Sequence, residues 1–420
     1  MMKKQFFILP AILFSTVARS EVLTLETVLR KTVEHSEKLK ALTEHEHAAE
    51  MGVDRARTGY WPTLEAQAIA TNGFPGSSGL LGIGGLMGSS YRSGPAYGLV
   101  ATETIYNFGR TANEVRLADD NLQNSHIQSE IEKDKVIAQS LLSYLRCSFL
   151  RSQQQNWSTI RDMTAIIRKE VDRFISTGQR SIVDSFLVRA QFDESIRNLE
   201  KYERQERVVK SALATMTGMS EAEILCPELN QFELQVEPRT PSEEHPEIRR
   251  AQMDLKIAHD QVELTRSNYW PKISAVASVG QMEKAWVVPV EDYAVGIGLT
   301  WPLFDAGKTN AEFNTAKAVE LQKGHELAEA RDQIKLINNK YDEAIEGLAA
   351  ELDHLKKDAV IAKTAYDQAR SRYFSLKGNL SDLREAVRNL AKIQEDRINS
   401  QVQFDQAVGL KKILNQEMHY

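Results

Sequence analysis

"RTGYWPTLEAQAIA" at residues 57–70 and "RSNYWPKISAVASV" at 266–279 share the pattern Arg-x-x-Tyr-Trp-Pro, about 209 residues apart. Each copy turns a helical pattern into an alternating one. After Pro62, Leu64, Ala66, Ala68 and Ala70 alternate with Glu65, Gln67 and Thr71; after Pro271, Ile273, Ala275, Ala277 and Val279 alternate with Ser274 and Ser278. A period of two places one set of side chains on one face of a strand. Both copies therefore read as a helix running into a strand.

Two further alternating runs follow. In "YAVGIGLTW", Tyr293, Val295, Ile297, Leu299 and Trp301 share a face; in "YGLVATETIY", from Tyr97 to Tyr106, Glu103 interrupts the apolar face. Each half thus offers two strands of about ten residues, near 62–71 and 97–106, then 271–280 and 293–302. That length crosses a bilayer when tilted. Tyr60, Trp61, Tyr97, Tyr269, Trp270, Tyr293 and Trp301 gather at strand ends, as an interfacial aromatic girdle requires. Tyr60-Trp61-Pro62 and Tyr269-Trp270-Pro271 then mark helix-to-strand junctions at a membrane surface.

Between the strand pairs lie long helices. No proline stands from Ala96 to Cys226 or from Leu303 to Tyr420, and Gly178 is the only glycine between Gly109 and Gly218. Segments so poor in helix breakers and rich in Glu, Lys, Leu, Ala, Gln and Arg favour helix. Ile127, Ile131, Ala138, Leu142, Leu145 and Phe149 recur at threes and fours, as on the core face of a coiled coil or helical bundle. Gly178 in "RFISTGQRSIVDSFL" and Gly378 in "RYFSLKGNLSDLREA" each predict a tight tip, with a left-handed glycine and Ser181 or Ser381 capping the return helix. Arg110 to Thr177 spans roughly 100 Å of helix. The return arm from Ser181 and the leading segment Leu25–Tyr60, read as one helix, together match that length. Apolar stripes need partners along their whole length, so the two short arms are expected to line the long one, less evenly in the second half.

The duplication is general. "GRTANE" at 109–114 matches "GKTNAE" at 307–312, and "HSEKLKA" from 35 resembles "HPEIRRA" from 245. The chain divides into a repeat over 21–232 and another over 233–420. Four strands cannot close a barrel, and open edges are not tolerated in lipid. Three chains supply twelve strands, which fits a homotrimer.

Residues 1–20 read as an export signal: Lys3 and Lys4, an apolar "FFILPAILFSTV", and Ala18-Arg19-Ser20 before the cleavage point. A membrane anchor is the alternative, but the apolar run is short for one. No later segment reaches eighteen apolar residues, which excludes a helical span but not a β-barrel. A formal charge of −6 with both signs intermingled leaves no basic face for nucleic acid. Cys147 and Cys226 are the only cysteines. They are too few for a disulfide scaffold and read as unpaired structural thiols. The glycine-rich stretch "NGFPGSSGLLGIGGLMGSSYRSGP" at 72–95 reads as a long external loop.

Catalytic and cofactor readings fail on chemistry. "GKT" at 307–309 lacks the earlier glycine a phosphate loop needs, because Pro302 stands there. His45 and His47 point apart on a helix, so they are not a metal pair. No Ser/His/Asp or Cys/His constellation stands at a strand-to-turn position. The chain is expected not to be an enzyme and to need no cofactor or metal.

Taken in order, "YWPTLEAQA", "YWPKISAVA", "IYNFGRTANEV", "WPLFDAGKTNAEF" and the two glycine-centred tips resemble the TolC family of outer-membrane channel-tunnels. The likeness covers essentially the whole mature chain. It implies a homotrimer with a twelve-stranded β-barrel in the outer membrane of a Gram-negative cell and a helical barrel in the periplasm. The implied partners are outer-membrane lipid, a periplasmic adaptor (membrane fusion) protein, and an inner-membrane pump of ABC, RND or other type. "IYNFGRTAN", "SLLSYLRCSFLRSQQQ" and "LATMTGMSEAEIL" are most similar to members serving type I secretion, as opposed to drug efflux. The family gates its periplasmic entrance with polar side chains near the tips. Its acidic position is Asp184 in the first half but Arg384 in the second, where Asp382 is the nearest acid. Its basic position is Arg180 in the first half but Leu380 in the second. Asp184 also suits a capping box with Ser181. The rival reading is a periplasmic coiled-coil adaptor or scaffold; a surface-anchored, autotransporter-like protein comes third. Two hairpins, four membrane-length strands and aromatic strand ends argue against the adaptor, and the third reading is expected to carry a passenger domain that this sequence does not show.

Overall fold

Why the helices stop where they do is set by a few residues in each half. The computed structural model describes residues 23–72, 93–229, 245–284 and 288–416. The expected export signal and most of the glycine-rich loop lie outside these. The chain forms two compact units. One gathers described residues of 1–36, 135–239 and 339–420, the other those of 37–134 and 240–338. Each unit draws on both sequence repeats, so the repeats are not themselves the compact units.

In the unit containing the strands, α2 (Glu37–Arg57) ends in a short 3-10 turn, Thr58–Tyr60, and β1 (Thr63–Asn72) follows. Proline sets the switch. Trp61, ahead of Pro62, is driven to φ −117°, ψ 150°, the extended backbone that a following proline favours. The second half repeats this: α5 (Pro246–Ser267) gives way to β3 (Lys272–Lys284) across Pro271. β2 (Ser93–Tyr106) and β4 (Val288–Thr300) complete one sheet in the order β1-β2-β3-β4, every neighbour antiparallel. Three of the four strands, β2, β3 and β4, run three or more residues beyond the sequence expectation at their loop ends.

The long helices start from a duplicated turn. Phe108 and Gly109 have φ of 53° and 84°, Ala306 and Gly307 of 54° and 87°. The side chains of Asn107 and Asp305 then accept from the amides of Thr111 and Thr309, at 3.4 and 2.8 Å. "GKT" is thus a helix start, not a phosphate loop. From these turns run α3 (Arg110–Ser176) and α6 (Lys308–Phe374), 67 residues each, returned by α4 (Ile182–Thr217) and α7 (Leu380–Leu414).

Within the strand unit, α2 and α5 line the first part of α3. Lys38 pairs with Glu132, His126 with Glu46 at 2.9 Å, Arg249 with Glu130, and Lys256 with the buried Asp120 at 2.6 Å. Within the other unit, α1 (Leu25–His35) and α4 pack on the remainder of α3. Leu29, Ile137, Leu141, Leu145 and Ile413 form one buried cluster; Leu23, Val28, Tyr144, Leu213 and Ile224 form another. A third joins all four arms through Ile160, Ile167, Val171, Val188, Tyr366, Leu383 and Val387. Truncating a fully buried leucine such as Leu383 costs about 2–5 kcal/mol.

Four expectations are corrected. The segment from Leu25 to Tyr60 is not one helix: Ser36 adopts ψ 108° and separates α1 from α2. Serine competes for backbone partners and so tolerates a helix break. Leu142 is 36% exposed, and Ile137 and Leu141 take the core face instead, because a 3.6 period drifts from a heptad. Cys147 and Cys226 are not free thiols; they form a disulfide with Cα atoms 5.3 Å apart. The fold brings the middle of α3 against the segment after α4, which sequence spacing could not show. The fourth correction concerns the second tip.

Candidate functional site

Two places carry functional side chains: the belt of the sheet and the hairpin tips. On the sheet, the alternation sends Tyr293, Val295, Ile297 and Leu299 outward, with exposures of 84, 84, 76 and 64%. Leu64, Leu99 and Val279 are exposed on the same face. On the opposite face Val100 and Ser278 are buried. A sheet that buries its polar-lined side and exposes aliphatics is inverted relative to a soluble one. The outward band from Tyr293 to Trp301 covers about 26 Å of strand, or about 20 Å of height at barrel tilt, near the apolar band of an outer-membrane barrel. Glu103 is exposed near the helix-side end of β2, opposite Ala275, where the apolar band gives way to the junction.

The helix-side edge of that band is aromatic. Tyr60, Trp61, Tyr269, Trp270 and Trp301 are 42–73% exposed. They are ordered by contacts: Trp301 Nε1 donates to the Tyr269 carbonyl at 3.1 Å, Phe108 stacks on Trp270 at 5.3 Å, and Tyr106 meets Phe108 edge-on at 4.8 Å. At the other edge, Tyr97 Oη donates to Gln281 Oε1 at 2.7 Å. Exposed rings with a fixed polar handle suit an interface with one apolar and one wet side.

The two tips are built differently. At the first, Gly178 takes φ +73° and Ser181 accepts from the Val183 amide at 3.2 Å, as the sequence predicts. At the second, Leu376, not Gly378, is left-handed, at φ 62°, and Asn379, not Ser381, caps α7 by accepting from the Asp382 amide at 2.8 Å. Glycine suits 378 for another reason. A Cβ there would lie 3.2 Å from Arg372 Cβ and backbone atoms of Arg372 and Tyr373. A side chain at 378 would be tight against the fold-back and would require it to give by a few tenths of an ångström.

The tips touch within the chain. Arg180 Nη2 donates to the Gly378 carbonyl at 2.7 Å, and its guanidinium lies 4.5 Å from the centre of the Tyr373 ring. Tyr373 Oη donates to Asp184 Oδ2 at 3.1 Å. Tyr373 is fully buried, and burial, then the Asp184 carboxylate, pushes its phenol up, so it stays a donor. Asp184 therefore serves as the acceptor for Tyr373 where a capping box with Ser181 was expected; only Ser181 caps. Arg384 is partly buried and its Nε has no hydrogen-bond partner. Burial, then Arg388, lowers its pKa, against the pull of Glu194, and it remains a cation. Asp382 is exposed. No ion pair joins Asp184 to Arg384 among the described residues of the single chain.

Arg180, Asp184 and Gly378 are thus brought together, while Arg384 meets the first hairpin through Gln191 Nε2, which donates to its carbonyl at 3.4 Å, and through the charge of Glu194. Sequence reasoning missed Tyr373. Its one signal was a tyrosine within "SRYFSLKG", on the apolar side of α6, where a buried hydroxyl demands a partner.

Comparison with known proteins follows the same lines. Residues 241–416 match the model of the family described as outer membrane efflux protein. The solvent efflux pump outer membrane protein SrpC and the toluene efflux pump outer membrane protein TtgI, both of Pseudomonas putida, are each 28% identical over 181 residues, 39% of this chain. The match spans 37% of the length of these relatives. A membrane protein from Pseudomonas aeruginosa superposes with a TM-score of 0.82 at 18% identity, covering 95% of this chain and 93% of its own. VceC of Vibrio cholerae gives 0.78 at 16%, over 93% and 96%; the open state of MtrE of Neisseria gonorrhoeae gives 0.77 at 20%, over 93% and 88%. Residues 241–416 thus resemble the outer membrane efflux protein family, and the chain as a whole shares the fold of these solved outer-membrane channels.

Proposed function

We propose that the chain is one protomer of a trimeric outer-membrane exit duct, which takes cargo from an inner-membrane pump through a periplasmic adaptor. The observation that carries this is the sheet: four antiparallel strands, apolar outward, aromatic at their ends, with edges at β1 and β4 that pair with no further strand among the described residues. Bare edges in lipid demand closure by further copies. The names of the matched relatives favour small-molecule efflux. The type I secretion reading rests on the strand end and helix segments quoted above. Affinity purification of the full chain from crosslinked envelopes tests both. Recovery of the trimer with an adaptor and an RND-type pump supports efflux; recovery with an ABC exporter supports secretion. Release of the chain by osmotic shock, without detergent, would overturn the duct in favour of a soluble adaptor or scaffold.

The tips are proposed as the periplasmic entrance. Arg180, Tyr373 and Asp184 hold the two hairpins of one chain together. Asp184 Oδ1 is left to meet Arg384 of a neighbouring chain. Trp61 and Trp270 are proposed to sit at the periplasmic membrane interface, since long helices adjoin them on that side.

A further inference from the structure

The apolar stripes of two helices break at the same level. On α3, Leu150 and Ile160 are buried, but between them the only buried side chains are Gln153 and Gln154. On α7, Leu390 and Ala391 are buried, and no side chain from Lys392 to Asn399 is. The breaks face each other: Gln153 Nε2 donates to the Glu395 carbonyl at 3.4 Å, and Tyr202 Oη of α4 donates to Glu395 Oε1 at 2.8 Å. Beside them lies a cavity of about 410 Å³, wholly within the unit that holds the tips. Leu390, Gln394, Arg397 and Gln401 line it from α7 at three- and four-residue steps, one face of a helix. Asn156, Thr159 and Ile160 line it from α3, Lys356 and Lys363 from α6, and Glu228 and Leu229 from the segment after α4. Polar side chains on the inner face of a bundle cost stability unless they are bonded. Such breaks in the local pattern concentrate at functional sites.

Several of these polar groups are unmatched. Asn156 Nδ2 is buried without a hydrogen-bond partner. Arg397 is partly buried, and among the described residues it makes neither an ion pair nor a hydrogen bond. Lys356 is free in the same sense, while Lys363 is held by Asp367 at 3.2 Å. Three cations thus face one acid on this wall, Glu228, which is exposed. The floor is apolar: Ile160, Leu229 and Leu390 are 3, 5 and 5% exposed. We infer that the cavity binds a small organic anion, with its oxyanion head on the Arg397 guanidinium and the Asn156 amide and its apolar body on Ile160, Leu229 and Leu390. An unpaired guanidinium presents a planar fork that matches a carboxylate, sulfonate or phosphate. The volume lies within the range of small-molecule sites, which combine an apolar lining with few polar anchors. A cationic ligand would meet the excess positive charge, and a wholly apolar one would leave Asn156 and Arg397 unmatched. The site uses neither the sheet nor the tip contacts, so the inference goes beyond the duct reading and does not depend on it.

The probe is 2-naphthoate, with 2-naphthylmethanol as its neutral counterpart of similar shape. Each is titrated calorimetrically into the detergent-solubilised full chain and into the detergent alone. The expected result is one saturable site per chain for the acid. The alcohol should bind about tenfold or more weakly, because it forfeits the charge-assisted hydrogen bonds. Arg397→Met should weaken the acid by a similar factor and change the alcohol little, and Arg397→Lys should fall between. Thr159→Trp, at an exposed position on the cavity wall, should abolish binding of both by filling the space, with the helical circular dichroism signal unchanged. That variant carries the test if Arg397→Met fails to fold. Absence of a saturable site, equal affinity for acid and alcohol, or an acid affinity untouched by Arg397→Met or by Thr159→Trp overturns the anion site.

Discussion

The Cys147–Cys226 disulfide gives the sharpest stability prediction. It closes a loop whose ends are 79 residues apart in sequence, enclosing the first tip and all of α4. Restraining a loop of that length in the unfolded chain corresponds to about 4–5 kcal/mol in the chain-entropy treatment. Cys147 is fully buried against Tyr144, Leu213 and Ile224. The two sulfurs therefore also fill core volume, and the substitution should be small and apolar. For a chain of this length, about 0.8 kcal/mol/K of unfolding entropy converts the loss into a midpoint lower by about 5 °C. The assay is far-UV circular dichroism of the detergent-solubilised protein, comparing wild type, wild type with reductant, and Cys147→Ala with Cys226→Ala. Reductant and double substitution should shift the midpoint alike, and reductant should do nothing further to the double variant. Thiol titration of the unfolded, unreduced wild type should find no free thiol. Two titratable thiols, or a reductant shift shared by the double variant, would refute the bond or its role. An oxidising compartment is required for such a bond to persist, in keeping with export.

Three further outcomes are expected. Asp405 is 2% exposed, and burial raises its carboxyl from 3.8 to about 6 against the help of the Gln401 amide. Because the folded chain holds this proton more tightly than the unfolded one, stability is lost as pH rises from about 4 to 6, so Asp405→Asn should stabilise by roughly 3 kcal/mol at pH 7–8 and change little at pH 4, read from urea midpoints. Arg384→Glu should raise conductance in planar bilayers and added Asp184→Arg should lower it again, each pair contributing about 1 kcal/mol or less and three copies acting together; a single variant conducting like wild type would remove the pair. Trp61 and Trp270 fluorescence should be quenched more by lipids brominated near the headgroup than by deep ones, and equal quenching at all depths would displace them from the interface.

Much of this fold was written in local chemistry. Pro62 and Pro271 fix helix-to-strand switches because proline constrains its neighbour, whatever surrounds it. Gly178 marks a tip because only the backbone decides. The second tip looked the same in sequence and is not, because Leu376 accepts the left-handed conformation and leaves Gly378 to relieve crowding. That choice depends on how closely the turn packs on Arg372, a fact no window of sequence contains. Asp184 bonds elsewhere than the capping box it suits: a capping partner three residues away is visible in sequence, whereas Tyr373 stands 189 residues away. The cysteines failed for the same reason. Two thiols with no motif carry no signal until α3 and the segment after α4 are brought together.

The two long helices differ in how much of themselves the chain covers. They have equal length and begin from the same turn, yet α3 buries Ile127, Ile131, Ile137, Leu141, Leu145, Leu150, Ile160, Ile167 and Val171, while α6 leaves Leu321 69%, Leu336 55%, Val360 68% and Ile361 65% exposed. The turns differ in step with this. Phe108 stacks on Trp270 of its own chain, whereas the equivalent Ala306 has no ring, and Leu303 and Phe304 just before it are 82% and 90% exposed. At these positions the first repeat is covered inside the chain and the second is not. Covering a leucine or valine of that size is favourable by about 1.5–3 kcal/mol, so four such side chains on α6 alone favour association by several kcal/mol before any strand edge is paired. The β4 edge, paired with no further described strand, and the exposed face of α6 both belong to the second repeat, so the second repeat carries most of the chain's uncovered apolar side-chain surface along its long helix.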